Sequence, residues 1–290
     1  MSALLTRSDM AVDAGAVLIS AIMAGAVAIL ATLVIERWGG ALGSIVAIPT
    51  TIVPAAIGIW HGSASVGAHA DAMSMVPIGM MLNILFLGAW RVLPSRLEHR
   101  WSGGSLVTLV AVLSVAVWLV AAGASTVIVS NTLDSIAPFW IGSFATLLGF
   151  GIGLRALKNA PAAPAGHNAV HPFSVLMRGV AAASAIGLSV LIAGMGLPFI
   201  SGVISVFPAI FLTTMVSLWL AQGSEVPVGA TGPMMLGATS VSVYSLIAIG
   251  SFPVYGPWIG SALAWFGSVI LYSLPIGFWT NHRIHPGAND

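Results

Sequence analysis

Cysteine is absent from the 290 residues, which excludes a disulfide, a thiol nucleophile, a Cys-ligated zinc, an iron–sulfur cluster and covalently attached haem. Charge is nearly absent too. Nine Lys plus Arg and eight Asp plus Glu make up 6% of the chain, where a water-soluble domain carries roughly 25%. With so few groups to face water, lipid must be the main solvent. A formal net charge of +1 leaves no basic face for nucleic acid and little for anionic headgroups. Gly-x-Gly-x-x-Gly, the Walker loop, His-Glu-x-x-His and paired intramembrane carboxylates are also missing, so no enzyme constellation is visible and no cofactor is expected.

What the chain does contain is long apolar runs: 58% of it is hydrophobic, with a mean hydropathy of +1.03. The first run, residues 11–35, exceeds the 7–15 residues of a signal-peptide core and reads as a retained span. A second, 41–60, is interrupted by Pro49 and Pro54, each of which removes a backbone donor and bends or breaks a helix. Residues 61–71, rich in Gly, Ser and Ala, read as a loop, and further spans are expected at 72–90, 105–122, 138–154, 174–196, 199–221, 228–250 and 256–278. The expected fold is therefore an all-α polytopic membrane protein of about nine transmembrane helices.

Orientation follows from the basic residues. With the loop after the third span cytoplasmic, Arg37, Arg91, Arg96, Arg100, Arg155, Lys158, Arg178 and Arg283 fall on that side and only Arg7 on the other. The amino terminus is then outside and the carboxyl terminus cytoplasmic.

The two halves carry a shared pattern. Gly43, Pro49, Trp60 and Ser65 coincide without a gap with Gly202, Pro208, Trp219 and Ser224, and a single acid and a Met-bearing stretch follow in both: Asp71 with Met73, Met75, Met80 and Met81, then Glu225 with Met234 and Met235. The layout is 4+1+4: a four-helix repeat over 11–122, a linking helix and Ala/Pro-rich linker over 123–172, and a second four-helix repeat over 173–280. An odd linking span inverts the second unit, and inverted repeats with proline-broken helices are the architecture of many secondary transporters.

The first half, with its Ile35-Glu36-Arg37-Trp38-Gly39-Gly40 turn, its Pro49-Thr50-Thr51 and its Trp90-Arg91-Val92-Leu93-Pro94, resembles the small four-span GlpM-type inner-membrane proteins over roughly residues 15–122. The resemblance implies a bacterial inner-membrane location and a link to exopolysaccharide production; the chain would be a duplicated, fused version.

Two readings exist for each chemistry-bearing group. Pro49, Thr50, Thr51 and Pro54, with Pro208, Thr213 and Thr214 at the matching place, can expose carbonyls and hydroxyls to a polar solute at membrane depth; otherwise the threonines satisfy a simple kink. Asp71 and Glu225 sit at span mouths, as coupling or gating carboxylates or as solvated loop acids. His61, His69 and Asp71 are the one clustering of metal-capable side chains, though the eight-residue spacing of the histidines fits no compact metal motif. Trp118, Trp140, Trp219, Trp258 and Trp265 lie away from the interfacial belt expected for Trp38, Trp60, Trp90, Trp101 and Trp279, and can wall a pocket.

These features lead to a secondary transporter or facilitator for a small solute or ion. The alternative is a non-transport scaffold or accessory subunit of an envelope or polysaccharide complex. Expected partners are membrane lipid and the solute or ion, with no nucleic acid and a homo-oligomer left open.

Overall fold

The structure, a computed structural model, describes residues 13–38, 47–132, 136–159 and 171–284. Arg7, Gly43, Asp134 and His167 lie outside the described residues, as do the side chains of Arg37 and Arg283. Every described element is helical: α1 (Ala14–Trp38), α2 (Val53–Gly62), α3 (Val66–Leu97), α4 (Gly103–Thr132), α5 (Pro138–Lys158), α6 (Pro172–Gly194), α7 (Pro198–Ile204), α8 (Ala209–Gln222), α9 (Glu225–Ser268), a π turn (Val269–Ser273) and α10 (Leu274–Ile284). Seven segments among the described residues are long and apolar enough to cross a membrane: Ala14–Leu33, Val66–Leu97, Gly103–Val129, Pro138–Lys158, Pro172–Gly194, Pro198–Gln222 and Glu225–Thr280.

The 56-residue segment Glu225–Thr280 would measure about 84 Å as one straight helix, against a bilayer core of about 30 Å. It folds back. Gly256, at φ 75° and ψ 172°, breaks the helical path in a conformation that favours glycine. Across it Ser251 donates to the Gly260 carbonyl at 2.8 Å and Tyr244 pairs with Ser261 at 2.7 Å. Tyr272 reaches the Leu236 carbonyl at 2.7 Å. The partners move apart along the chain in opposite senses, as in an antiparallel helical hairpin.

Glycine places the other long helices close together. Gly142 lies on Ser74 and Pro77, and Gly149 on Ile84, so α5 runs parallel to α3. Gly153 packs on Leu236 and Gly232 on Ala156 and Leu157, so the first part of α9 runs antiparallel to α5. Gly25 meets Gly179 and Ala183 while Gly187 meets Ala21, an antiparallel pairing of α1 with α6. These close approaches are what small residues provide where lipid is as apolar as the side chains and van der Waals packing must drive association. Gly58, Gly62 and Gly260 make close approaches of the same kind.

Around this core the outward faces stay apolar. Val120 on α4 is 74% exposed, Leu147 on α5 69% and Leu271 in the π turn 71%, a surface that water would not cover and lipid does. The chain is a multi-pass membrane protein.

Two boundaries and one side-chain placement differ from the sequence expectation. Residues 61–71 are not a loop: α2 continues to Gly62, and α3 starts at Val66 because the Ser65 hydroxyl accepts from the Ala68 N–H at 3.1 Å, a standard N-cap. The fourth helix runs past 122 to Thr132, its Ser125 and Thr126 hydroxyls donating to the Ala122 carbonyl at 2.9 and 3.1 Å, so these polar residues stay within the helix. Trp90 is not an interfacial indole; it is fully buried, 5.8 Å from Trp219 and 6.4 Å from Phe86.

Candidate functional site

Two helices are interrupted inside the apolar body. In the first half, the helical turn at residues 47–50 ends in a turn at Thr51 and Ile52 before α2 begins. Pro54 occupies the first turn of α2, where a proline has no donor to lose. In the second half, α7 stops at Ile204 and α8 restarts at Ala209, with Pro208 as its N-cap. Pro208 therefore restarts a helix, whereas at the first site Ile52 keeps right-handed helical dihedrals (φ −84°, ψ −18°), so Pro54 kinks the path across a two-residue turn and Pro49 lies within the helical turn 47–50.

Each interruption frees backbone groups that hydrocarbon cannot solvate, at several kcal/mol apiece. Several find internal partners. Around the first break, Thr51 Oγ1 donates to the Ile48 carbonyl at 2.7 Å, and the Ala56 N–H reaches the Ile52 carbonyl at 2.9 Å. Around the second, the Ile204 carbonyl, which would have paired with residue 208 were it not proline, accepts from Phe207 at 2.9 Å. The Val206 carbonyl is reached by a side chain 123 residues away: Asn83 Nδ2 donates to it at 2.9 Å. Asn83 Oδ1 in turn accepts from Trp118 Nε1 at 2.8 Å. Because the indole only donates and the carbonyl only accepts, these partners fix which end of the amide faces which way.

Reciprocity is visible in the supports. Trp118 on α4 holds Asn83 against the second break, and its ring lies edge-on to Phe207 at 5.3 Å. Trp265, beyond Gly256 on α9, donates to Thr50 Oγ1 beside the first break at 2.9 Å. An indole from a helix of one half thus braces the interruption of the other.

Both breaks border one cavity of about 90 Å³. Ile48, Thr51 and Ile52 line it from the first and Ser205 to Phe211 from the second, with Ala28 of α1, Asn83 of α3, Ala182 of α6 and Val241 of α9 closing the walls. A water needs only about 10–15 Å³ by this measure, so the space holds several waters or a small molecule.

The expected site residues divide. Thr51 and Pro208 line the cavity, whereas Pro49 and Pro54 are buried beside it without lining it. Thr50 is bound by Trp265. Thr213 donates to the Ala209 carbonyl at 2.9 Å and accepts from Arg178 Nε at 3.2 Å; Thr214 is half-buried on α8 away from the lining. Asp71 is half-buried in the first turns of α3 and Glu225 is exposed in the first turn of α9, a favourable place for a carboxylate at the positive end of the helix dipole. Neither borders the cavity.

His61 is exposed on the last turn of α2, while His69 is buried, stacked on Phe252 at 4.8 Å and edge-on to Trp60 at 5.0 Å. Among the described residues no group of three His, Asp or Glu side chains is placed to hold a metal ion. His69 acts there as an aromatic core residue.

Sequence reasoning missed Asn83, Ser205 and Arg178. Asn83 is the one amide in the apolar run 72–90, a signal that was readable. Arg178, which the sequence groups with the loop charges, is buried on α6 and joins α1 to α8 through Thr32 Oγ1 at 2.6 Å and Thr213 Oγ1 at 3.2 Å. Arg91 remains at a helix end, donating to the Ala156 carbonyl at 2.9 Å and to the Asn159 carbonyl, where a cation meets the negative end of α5.

No protein-family model matches the chain, and neither the curated proteins nor the solved structures contain a match to it.

Proposed function

We propose that the chain is a secondary transporter or facilitator for a small solute, working by alternating access between two inverted four-helix repeats. The observation that carries this reading is the convergence of the two helix breaks on one cavity. Irregular backbone at membrane depth is tolerated where it is buried in protein or lines a cavity, and paired broken helices at a repeat interface are where transporters bind their cargo.

The repeat reading has further support. α1 and α6 pack antiparallel, as do α3 and the first part of α9 through their shared relation to α5. Each is a pair of corresponding helices, and an inverted duplication requires opposite directions in each. The segment from 47 to 62 then counts as a broken crossing and the hairpin at Gly256 as two, which makes nine crossings with α5 as the linking one. Without Arg178, the basic residues Arg37, Arg91, Arg96, Arg100, Arg155, Lys158 and Arg283 still fall on one side, which this reading makes cytoplasmic in a bacterial inner membrane.

A cysteine-free chain makes the test direct. Thr51→Cys and Ser205→Cys, reconstituted singly in liposomes, should react with a small membrane-impermeant thiosulfonate added to either face, because alternating access opens one cavity to both. Ala182→Phe, which fills the cavity, should abolish both reactions. Cysteines unreactive from both faces would leave a solidly packed protein and the scaffold reading in its place.

A further inference from the structure

The cavity lining carries no charged side chain, and its polar side chains are Thr51, Asn83 and Ser205. Every hydrogen these three can donate is already placed. Thr51 Oγ1 gives its proton to the Ile48 carbonyl at 2.7 Å and Ser205 Oγ to the Gly202 carbonyl at 2.7 Å. Asn83 Nδ2 gives one to Val206 at 2.9 Å and one to the Met80 sulfur at 3.5 Å. What remains on the side chains is lone pairs: those of the two hydroxyls and the second pair on Asn83 Oδ1, whose first is taken by Trp118. Such a wall accepts hydrogen bonds and cannot give them.

Charge argues the same way. An anion would find partners only in the first-turn N–H groups of α8, with no cation and no free side-chain donor in the lining to offset the desolvation of a full charge. A cation would meet oxygens, but between Ala24, Val27, Ile52, Ile186 and Phe207 and with no carboxylate to offset its desolvation, which costs far more than that of a neutral polar group. Size points the same way: the pocket is open on one side, and the part its walls enclose, about 90 Å³, suits a solute smaller than the benzene held by a cavity of about 150 Å³. On the far wall α8 begins at Pro208 without a side-chain cap, and with the Ala209 N–H taken by the Phe207 carbonyl at 2.7 Å the donors on that side are the first-turn N–H groups of Ile210 and Phe211, which complement a carbonyl oxygen.

We propose that the cargo is an uncharged molecule of about four heavy atoms that donates hydrogen bonds through N–H and accepts through a carbonyl, the chemistry of a urea or a short primary amide. This rests on the transporter reading above and specifies its site: N–H to the oxygens of Thr51, Ser205 and Asn83, carbonyl toward α8, and the apolar walls excluding charge.

The test uses the full chain in liposomes with radiolabelled urea as probe. Uptake should saturate and be competed by acetamide, which donates, and not by dimethylformamide, which accepts only. Thr51→Val combined with Ser205→Ala should lower uptake at subsaturating urea by about tenfold, with monodisperse elution and unchanged tryptophan emission showing that the variant is folded. Where that variant does not fold, the competitor pair on the unaltered chain decides. Equal competition by dimethylformamide overturns the donor requirement. Flux of sodium, potassium or chloride without urea uptake overturns the substrate class but leaves the transporter reading standing. Absence of any flux, together with cysteines at 51 and 205 unreactive from both faces, overturns the transporter reading and this assignment with it.

Discussion

Asn83 joins three elements with one side chain: α3, which carries it, the break before α8 through Val206, and α4 through Trp118. Nothing local announces this, because the carbonyl it satisfies lies 123 positions along the chain. Proline was the readable marker: Pro54 and Pro208 stand at the two interruptions, while Pro49 lies inside the helical turn 47–50. They did not show that Thr51 would face the cavity while Thr50 and Thr213 were occupied by Trp265 and Arg178. A lone amide in an apolar run is costly unless paired, and that rule alone would have selected Asn83. The pairing can be weighed by a double-mutant cycle. Asn83→Ala leaves the Val206 carbonyl unsatisfied and should destabilise the protein by about 1–3 kcal/mol. Trp118→Phe removes one donor and should cost about 0.5–1.5 kcal/mol. The double variant should lie close to Asn83→Ala alone, because the indole has nothing left to hold. Thermal or denaturant unfolding in detergent micelles gives all three values; strict additivity would mean that the two side chains do not cooperate.

Helices were legible wherever an apolar run was long, since a bilayer leaves a backbone little else to be. Their ends were legible where a cap was obvious and were lost where composition misled. The run from His61 to Asp71 looks like a loop because of its Gly and Ser, yet α2 extends to Gly62 and the Ser65 cap starts α3 at Val66, leaving only three of these residues outside helix. The 225–280 segment shows the opposite problem: helical hydrogen bonding is nearly continuous, and only Gly256 reveals two antiparallel arms. How elements approach one another is encoded in glycines, and their roles separate only in three dimensions. Gly202 on α7 lies so close to the Ala72 carbonyl and the Met75 side chain on α3 that a Cβ has no room, whereas Gly151 on α5 meets nothing within 4 Å. Gly202→Ala should therefore destabilise by about 1–3 kcal/mol as an overpacked contact. Gly151→Ala should be neutral or stabilising by up to about 1 kcal/mol, the helix-propensity gain of alanine over glycine. Unfolding midpoints of the two variants side by side check this, and equal effects would contradict the close approach of α7 to α3.

At the scale of the molecule, the two halves do not form separate bodies: α1 packs on α6 and α3 on α9, so the cavity exists only where they interleave. Whether the segment from 47 to 62 crosses the membrane decides the count of crossings, and with it whether the proposed repeats can be inverted. The helix directions argue that it does. Gly58 and Gly62 of α2 pack on Val190, and Gly62 also nears Ala193, so α2 advances along α6 in the same sense. The antiparallel pairing of α1 with α6 then makes α2 antiparallel to α1, as a returning crossing must be. Exposed Asp13, Ala64, Ser102 and Met195 lie before α1, after α2, after α3 and after α6. Single cysteines replacing Asp13, Ala64 and Met195 should all label with an impermeant maleimide from outside in intact cells. Ser102→Cys, beside the basic cluster of Arg91, Arg96 and Arg100, should label only after the cells are opened, because loops rich in arginine remain cytoplasmic. Opposite-side labelling of positions 13 and 64 would remove the second crossing and the matched inversion of the repeats with it. A reversal of all four positions together would keep the architecture and turn only its orientation in the membrane.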